Sequence, residues 1–342
     1  MKRREYDEDD VRVRPGRGSR PRTRIRPAHE DAVEGFVVAV DRGRYTTLVE
    51  PGRQAARGRE PRLVVAMKAR ELGRKGIVVG DRVALVGDVS GRPDTLARVV
   101  RVEPRTSMLR RSADDTDDTD GIERPVVANA DQLVIVTALA DPPPRPRMID
   151  RILVAAFDAE IDPLLCLTKS DLAPPGELVA LYEPLGVPHV VVHKGGSLDE
   201  LRDHLRGRLS VLVGHSGVGK STLVNALVPA ANRAVAQVNA VTGRGRHTST
   251  SAVALELPDG GWIIDTPGVR SFGLAHVSVE TVLAGFPDLV EGTVHCPKGC
   301  THLGDGCALD AWVAAGHADP ARLESLRRLL SSREGGLDDT GA

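Results

Sequence analysis

Aromatic side chains make up only 3% of the 342 residues, so any core must be packed from Val, Leu and Ala rather than from rings. Cysteine is scarce as well, at four. Three of the four cluster with a histidine, which fits a reducing compartment and a bound metal better than a disulfide framework. No apolar run reaches the ~18 residues of a membrane-spanning helix. The opening "MKRREYDEDD" has no apolar stretch behind its charges, which argues against a secretory signal and for a cytoplasmic protein without a membrane partner. Net charge is also nearly absent, at -1, but the charges are unevenly placed. The length suits two or three domains.

What is present divides the chain into five stretches. Residues 1–33 offer almost nothing to bury, and Arg12, Arg14, Arg17, Arg20, Arg22, Arg24 and Arg26 follow one another without an acid between them. Pro and Gly interrupt the run, so the composition predicts a disordered basic arm, either a solubilising tail or a phosphate-seeking one. Residues 34–107 hold five short β-branched runs, "GFVVAV", "RYTTLVE", "PRLVVAMKA", "DRVALVG" and "TLARVVRVE". They predict a small closed barrel of the OB type, although an SH3-like barrel has the same spacing. Phe36 and Tyr45 are its aromatics, too few for a base-stacking face. Residues 108–124 read as an acidic linker, "SADDTDDTDGIERP" at its heart. From 125 to 280, buried-strand runs such as "DQLVIVTAL" and "LSVLVG" alternate with helical spacing, which predicts an α/β domain with a largely parallel sheet. Residues 281–342 carry the cysteine/histidine knot and the amphipathic "DPARLESLRRLLSS".

Gly214, His215, Ser216, Gly217, Val218, Gly219, Lys220 and Ser221 fit G-x-x-x-x-G-K-[ST], with a strand run before and a helix run from Ser221 and Thr222 onward. Such a loop closes backbone N–H groups around phosphates at a helix N-terminus, with Lys220 on the β/γ-phosphates and the Ser221 hydroxyl on Mg²⁺. Asp265 ends the strand run "GWIID", where its carboxylate can hold Mg²⁺ through water, and the Gly268 N–H can meet a γ-phosphate. "TKSD", Thr168, Lys169, Ser170 and Asp171, supplies the base reader: Asp171 accepts from the N1–H and 2-amino group of guanine while Lys169 lies along the base. The plainer alternative is a polar helix cap. "TGRGRHTST" lies where a first switch loop belongs, and either Thr248 or Thr250 can give Mg²⁺ a second hydroxyl. Val269 follows Gly268 where many such enzymes orient water with glutamine, leaving His247 as the nearest polar candidate, or else as a loop residue meeting solvent or RNA phosphate.

Base reader, phosphate loop and D-x-x-G come in an order that a plain GTPase does not use. One site can survive that order if the chain has been cut and rejoined, since surface termini tolerate permutation. The Asp265–Gly268 loop then leads almost directly into the C-terminal knot. There Cys296, Cys300, His302 and Cys307 make a closed tetrahedral zinc set, with His302 favoured over His295. Cys166, inside a strand run, reads as a buried core residue.

Taken together, "VVANADQLVIV", "IDRILVAA", "TKSDL", "GHSGVGKSTLVNAL", "GRGRHTST", "DTPGVRSFGL" and "CPKGCTHLGDGCAL" resemble, in order, the RsgA/YjeQ family of circularly permuted GTPases. The resemblance runs from about Glu34 to Leu330. It implies an OB-fold barrel, a GTPase centre using GTP/GDP with Mg²⁺, and a zinc-binding helical domain. It further implies a factor that binds the 30S ribosomal subunit and its 16S rRNA during late maturation and leaves after ribosome-stimulated hydrolysis; nothing in the sequence suggests more than a monomer. His247 matches a histidine considered catalytic in that family. Thr168 stands where N-K-x-D has asparagine, implying a weaker tether from base reader to phosphate loop. An RNA-binding scaffold with a vestigial nucleotide site and a permuted GTPase of the large subunit are the competing functions.

Overall fold

Alternating apolar and polar residues make each of the first five runs a strand with one face inward. The computed structural model describes residues 29, 31–50, 60–73, 76–111, 124–231, 252–266, 274, 277–304 and 306–334. The strands are β1 (Val33–Asp41), β2 (Arg44–Val49), β3 (Arg62–Lys68), β4 (Arg82–Gly87) and β5 (Ala97–Val102). β1 and β2 form a hairpin across Arg42 and Gly43, both at positive φ as a two-residue turn of the right twist requires. β2 pairs with β3, β3 with β5 in parallel, β5 with β4, and β4 returns to β1, so the sheet closes. Val37, Tyr45, Val49, Val64, Val83, Leu85 and Val99 fill the interior. This is the expected OB-type barrel. Phe36 and Leu48 point the other way and pack against the core of the next domain, Phe36 with its ring 5.1 Å from that of Trp262.

The boundary differs from expectation in one place. Met108–Arg111, placed by sequence at the head of the acidic linker, is a strand, β6, paired with β7 (Arg124–Ala128). The reason is burial: Leu109 and Val127 are enclosed in the main core and hold the two strands there. Residues 112–123 lie outside the described residues, as does the basic arm through residue 28.

The α/β runs fold as β8 (Gln132–Ala138), α1 (Pro146–Asp158), β9 (Asp162–Thr168), α2 (Gly176–Tyr182), β10 (His189–Val191), α3 (Asp199–Leu205), β11 (Leu209–Val213), α4 (Lys220–Leu227), β12 (Val253–Glu256) and β13 (Trp262–Asp265). Strand order is β10-β9-β8-β11-β13-β12, parallel throughout except for β12. Alternate residues of β8 face opposite layers: Leu133 and Ile135 meet α1, while Val134, Val136 and Ala138 meet α3 and α4. Among the described residues a single bridged pair, Ala39 with Val253, joins β12 of this sheet to β1 of the barrel.

The C-terminal helices are α5 (Val279–Leu283), α6 (Pro287–Val290), α7 (Ala308–Ala314) and α8 (Pro320–Glu334). Leu326, Leu329 and Leu330 of α8 share one core with Ile149 and Leu153 of α1, so this module is welded to the nucleotide-binding half. No helix among the described residues is long and apolar enough to cross a membrane.

Candidate nucleotide site and metal knot

A parallel sheet turns its loops outward at the carboxyl ends of its strands, and ligands collect where the connections part in opposite directions. Here β8 leads through α1 to β9 on one side, while its other neighbour β11 leads onward to β13. Thr168 ends β9, Val213 ends β11 and Asp265 ends β13, so three motifs far apart and out of order in the chain share one edge of one sheet.

The phosphate loop runs from Gly214 to Gly219. A Cβ on Gly214 would meet the Val136 carbonyl oxygen at 2.4 Å, so only glycine lets the loop leave β11 against β8. Gly219 has φ 91° and starts α4, whose first turn carries Lys220, Ser221 and Thr222. Lys220 Nζ donates to Asp265 Oδ1 at 2.6 Å and to the Thr266 carbonyl at 3.2 Å. Thr266 in turn donates its hydroxyl to the Leu212 carbonyl on β11 at 2.9 Å, which fixes the start of the D-x-x-G loop beside the phosphate loop. Ser221 is exposed at the same helix end, so a lysine, a hydroxyl and a carboxylate face one region. Oxygen donors of this kind suit Mg²⁺.

The base-reading loop is tied to the phosphate loop. The Thr168 hydroxyl donates to the Val218 carbonyl at 2.6 Å, with the Thr137 carbonyl at 3.3 Å as its other neighbour. The weaker tether expected of threonine is therefore a single short bond inside a buried contact. Lys169, at φ 59°, donates through Nζ to the Asp141 carbonyl. Ser170 is held by its N–H to the Val192 carbonyl at 3.3 Å, and Asp171 is exposed in the turn before α2.

Two neighbouring segments went unread in the sequence. The loop 139–145 presses Pro142 to within 3.4 Å of a Cβ position on Gly217, and its Arg145 carries charge beside His215. Burial first, then the charges of Arg145 and Lys169, depress His215, whose Nδ1 lies 2.9 Å from the Ser216 carbonyl. The segment His193–Gly196 follows β10 along the same edge. "PHVVV" followed by "HKGG" repeats the strand-then-glycine-turn signal of the phosphate loop and could have found it. His247, Thr248, Thr250 and Gly268 lie outside the described residues.

At the far end, the ligand atoms of Cys296, Cys300, His302 and Cys307 all fall within 4.8 Å of one another, and His295 is not among them. Cys296 Sγ lies 3.8 Å from Cys307 Sγ and 3.6 Å from His302 Nδ1, and Cys307 Sγ is 3.5 Å from His302 Nδ1. A tetrahedron with ~2.3 Å metal–sulfur arms has edges of about 3.8 Å, so the knot has the dimensions of a four-coordinate metal site. Burial, with the Cys296 and Cys300 thiols close by, pushes Cys307 up to about 11. A cation is what lets such packed sulfurs ionise together. Cys166, fully buried in β9 and pushed up to about 12 by burial, takes no part.

This arrangement has known counterparts. The RsgA GTPase family model matches residues 102–275. The protein called small ribosomal subunit biogenesis GTPase RsgA in Pseudomonas aeruginosa is 41% identical over 266 residues, 75% of this chain and 76% of that one. Its counterpart in Pseudomonas fluorescens is also 41% identical over 266 residues, covering 75% of each chain. Among solved structures, YjeQ from Thermotoga maritima superposes with a TM-score of 0.61 at 24% identity, covering 89% of this chain and 99% of its own. YloQ, described as a circularly permuted GTPase, gives 0.61 at 23%, covering 90% and 96%. The latter two speak for the three-part fold. A family model matching residues 102–275 and relatives 41% identical along three quarters of the sequence agree, and the chain belongs to the RsgA GTPase family.

Proposed function

We propose that this GTPase is a late maturation factor of the 30S ribosomal subunit, which binds 16S rRNA in its GTP form and leaves after hydrolysis that the subunit stimulates. The observation that carries the chemistry is the 2.6 Å contact between Lys220 and Asp265, two residues 45 positions apart that meet beside Ser221. The names carried by the 41%-identical relatives support the ribosomal part. Lys220 and the N–H groups from Gly214 to Thr222 hold the β- and γ-phosphates. Ser221 and Asp265 hold Mg²⁺, which when bound neutralises charge developing on the phosphate oxygens. Asp171, steadied by Thr168, Lys169 and Ser170, selects guanine. A water attacks the γ-phosphorus, the bond to the bridging β,γ-oxygen breaks, and GDP and phosphate leave. His247 would position that water, Thr248 or Thr250 would give Mg²⁺ a second hydroxyl, and the Gly268 N–H would meet the γ-phosphate. Cys296, Cys300, His302 and Cys307 hold one structural zinc. A factor of this kind works as a monomer in the cytoplasm, where the subunit is assembled.

The test is GTP turnover with and without purified 30S subunits, in the wild type and in Lys220→Ala. Turnover rises with subunits and is lost by at least ~100-fold in the variant, as expected when a group aimed at transition-state charge is removed. Stimulated turnover that survives Lys220→Ala sinks the site assignment. Equal 30S affinity with GDP and with a non-hydrolysable GTP analogue sinks the release step and favours a plain RNA-binding scaffold.

A further inference from the structure

The last helix reaches the back of the nucleotide-binding half with two arginines. Arg322 Nη1 donates to the Pro184 carbonyl, just beyond α2, at 2.6 Å. Arg328 Nε lies 3.2 and 3.1 Å from the two carboxylate oxygens of Asp150 on α1, and its Nη2 donates to the Leu181 carbonyl near the end of α2 at 3.3 Å. The same guanidinium sits 5.1 Å from the centre of the Tyr182 ring. Tyr182 then closes the circuit, its hydroxyl donating to the Pro146 carbonyl in the first turn of α1 at 3.1 Å. Asp150 is 1% exposed, so its carboxylate depends on this partner.

These two helices are not arbitrary. The loop 139–145 opens α1, and residues 168–171 lead into α2. At the front, Lys169 ties the two loops together through the Asp141 carbonyl. At the back, Arg328 ties the two helices together through Asp150, Leu181 and Tyr182. A turn that must present one carboxylate to one edge of a base needs its flanking helices held to within about half an ångström. Next along α8, Arg327 donates to the His302 carbonyl at 3.0 Å and to Asp310 at 2.8 Å, so the same helix is moored to the metal knot.

We infer that Arg328 is a positioning residue for base selection: it sets the spacing of α1 and α2, and so the aim of Asp171, without touching nucleotide. This rests on Asp171 as the base reader. It makes the C-terminal module a structural part of the guanine pocket, whatever else that module binds.

The experiment is competition of GDP, IDP and ADP against a fluorescent N-methylanthraniloyl GDP on the full chain. IDP lacks only the 2-amino group that Asp171 would accept from. The ratio of GDP to IDP affinity therefore reads the aim of that carboxylate, while a general loss of fold or of phosphate binding cancels. In Arg328→Met the ratio shrinks about three- to tenfold. Arg328→Lys recovers part of it, since an ammonium restores the charge but not the reach to both helices. Because Asp150 left alone in the core can unfold the single variant, Asp150→Asn with Arg328→Met removes both charges and is expected to lower the ratio equally. A ratio unchanged in both the single and the paired variant overturns the inference, however much the melting temperature falls. If the wild type itself prefers GDP neither to IDP nor to ADP, the base-reading role of Asp171 fails instead, a result distinct from a preference that survives the loss of Arg328.

Discussion

The hydroxyl of Thr168 has one hydrogen to give, and the Val218 carbonyl at 2.6 Å takes it. An asparagine there would bring two. With Thr168→Val the buried Val218 carbonyl loses its partner, at ~1–3 kcal/mol. Nucleotide affinity should fall about tenfold while the preference for guanine over adenine stays, which calorimetric titration with GDP and ADP checks. Asp171→Asn does the opposite. It swaps an acceptor for a donor, so guanine nucleotides should lose at least ~10-fold and xanthine nucleotides, with a carbonyl at the 2-position, should gain. Both tests belong to single side chains, and so does what the sequence could reveal about them. Lys220, Asp265 and Asp171 are legible because each chemistry demands one residue type at one offset. Arg145 is not, because a lone arginine ahead of a helix carries no signature until the fold brings His215 of the phosphate loop beside it.

The helix α8 illustrates the same limit for an element. Its apolar spacing announced a helix with one buried face, and the strands were equally plain as β-branched runs between turn residues. Its partners were not announced, since Arg322 reaches 138 positions back to Pro184 and Arg328 178 positions back to Asp150. β6 was missed for a related reason: four residues are too short to show a period, and only the cavity that takes Leu109 makes them a strand. Burial raises Asp150 and the Arg328 guanidinium opposes the rise. In Arg328→Met that opposition is gone and the folded-state carboxyl climbs further above its unfolded value of ~3.9. A raised acid keeps its contribution below the unfolded value and loses it as pH rises through the folded one. The variant's deficit in urea midpoint should therefore be small near pH 4 and grow toward pH 7. The metal knot gives a second test at this scale. Cys307→Ser should abolish binding of one equivalent of metal and destabilise the C-terminal helices by more than ~4 kcal/mol. Metal analysis checks the first, and the emission of Trp312, packed over Gly292, checks the second in a Trp262→Phe background.

For the molecule as a whole, the reordered motifs work because a parallel sheet fixes where loops emerge, not when they are synthesised. Asp171, Lys220 and Asp265 would occupy the same edge whichever strand came first. Permutation changes only what the free ends are attached to. Here the barrel precedes β8, and the metal knot follows β13 by way of the D-x-x-G loop. Both attachments were legible from motif order, whereas the fusion of knot, α1 and β6 into one core was not, because it depends on distant leucines finding one another.

The bridge between Ala39 and Val253 gives the barrel an unusual neighbour. Val253 begins β12, and β12 is zipped along its length to β13, so that Val253 lies opposite Asp265 itself. Two successive strand pairings, Ala39 with Val253 and Val253 with Asp265, thus separate the barrel wall from the carboxylate proposed to hold magnesium. Amide exchange in 36–41 and 253–256 should then slow or quicken in step when GDP replaces a GTP analogue, as two ends of one crossbar do.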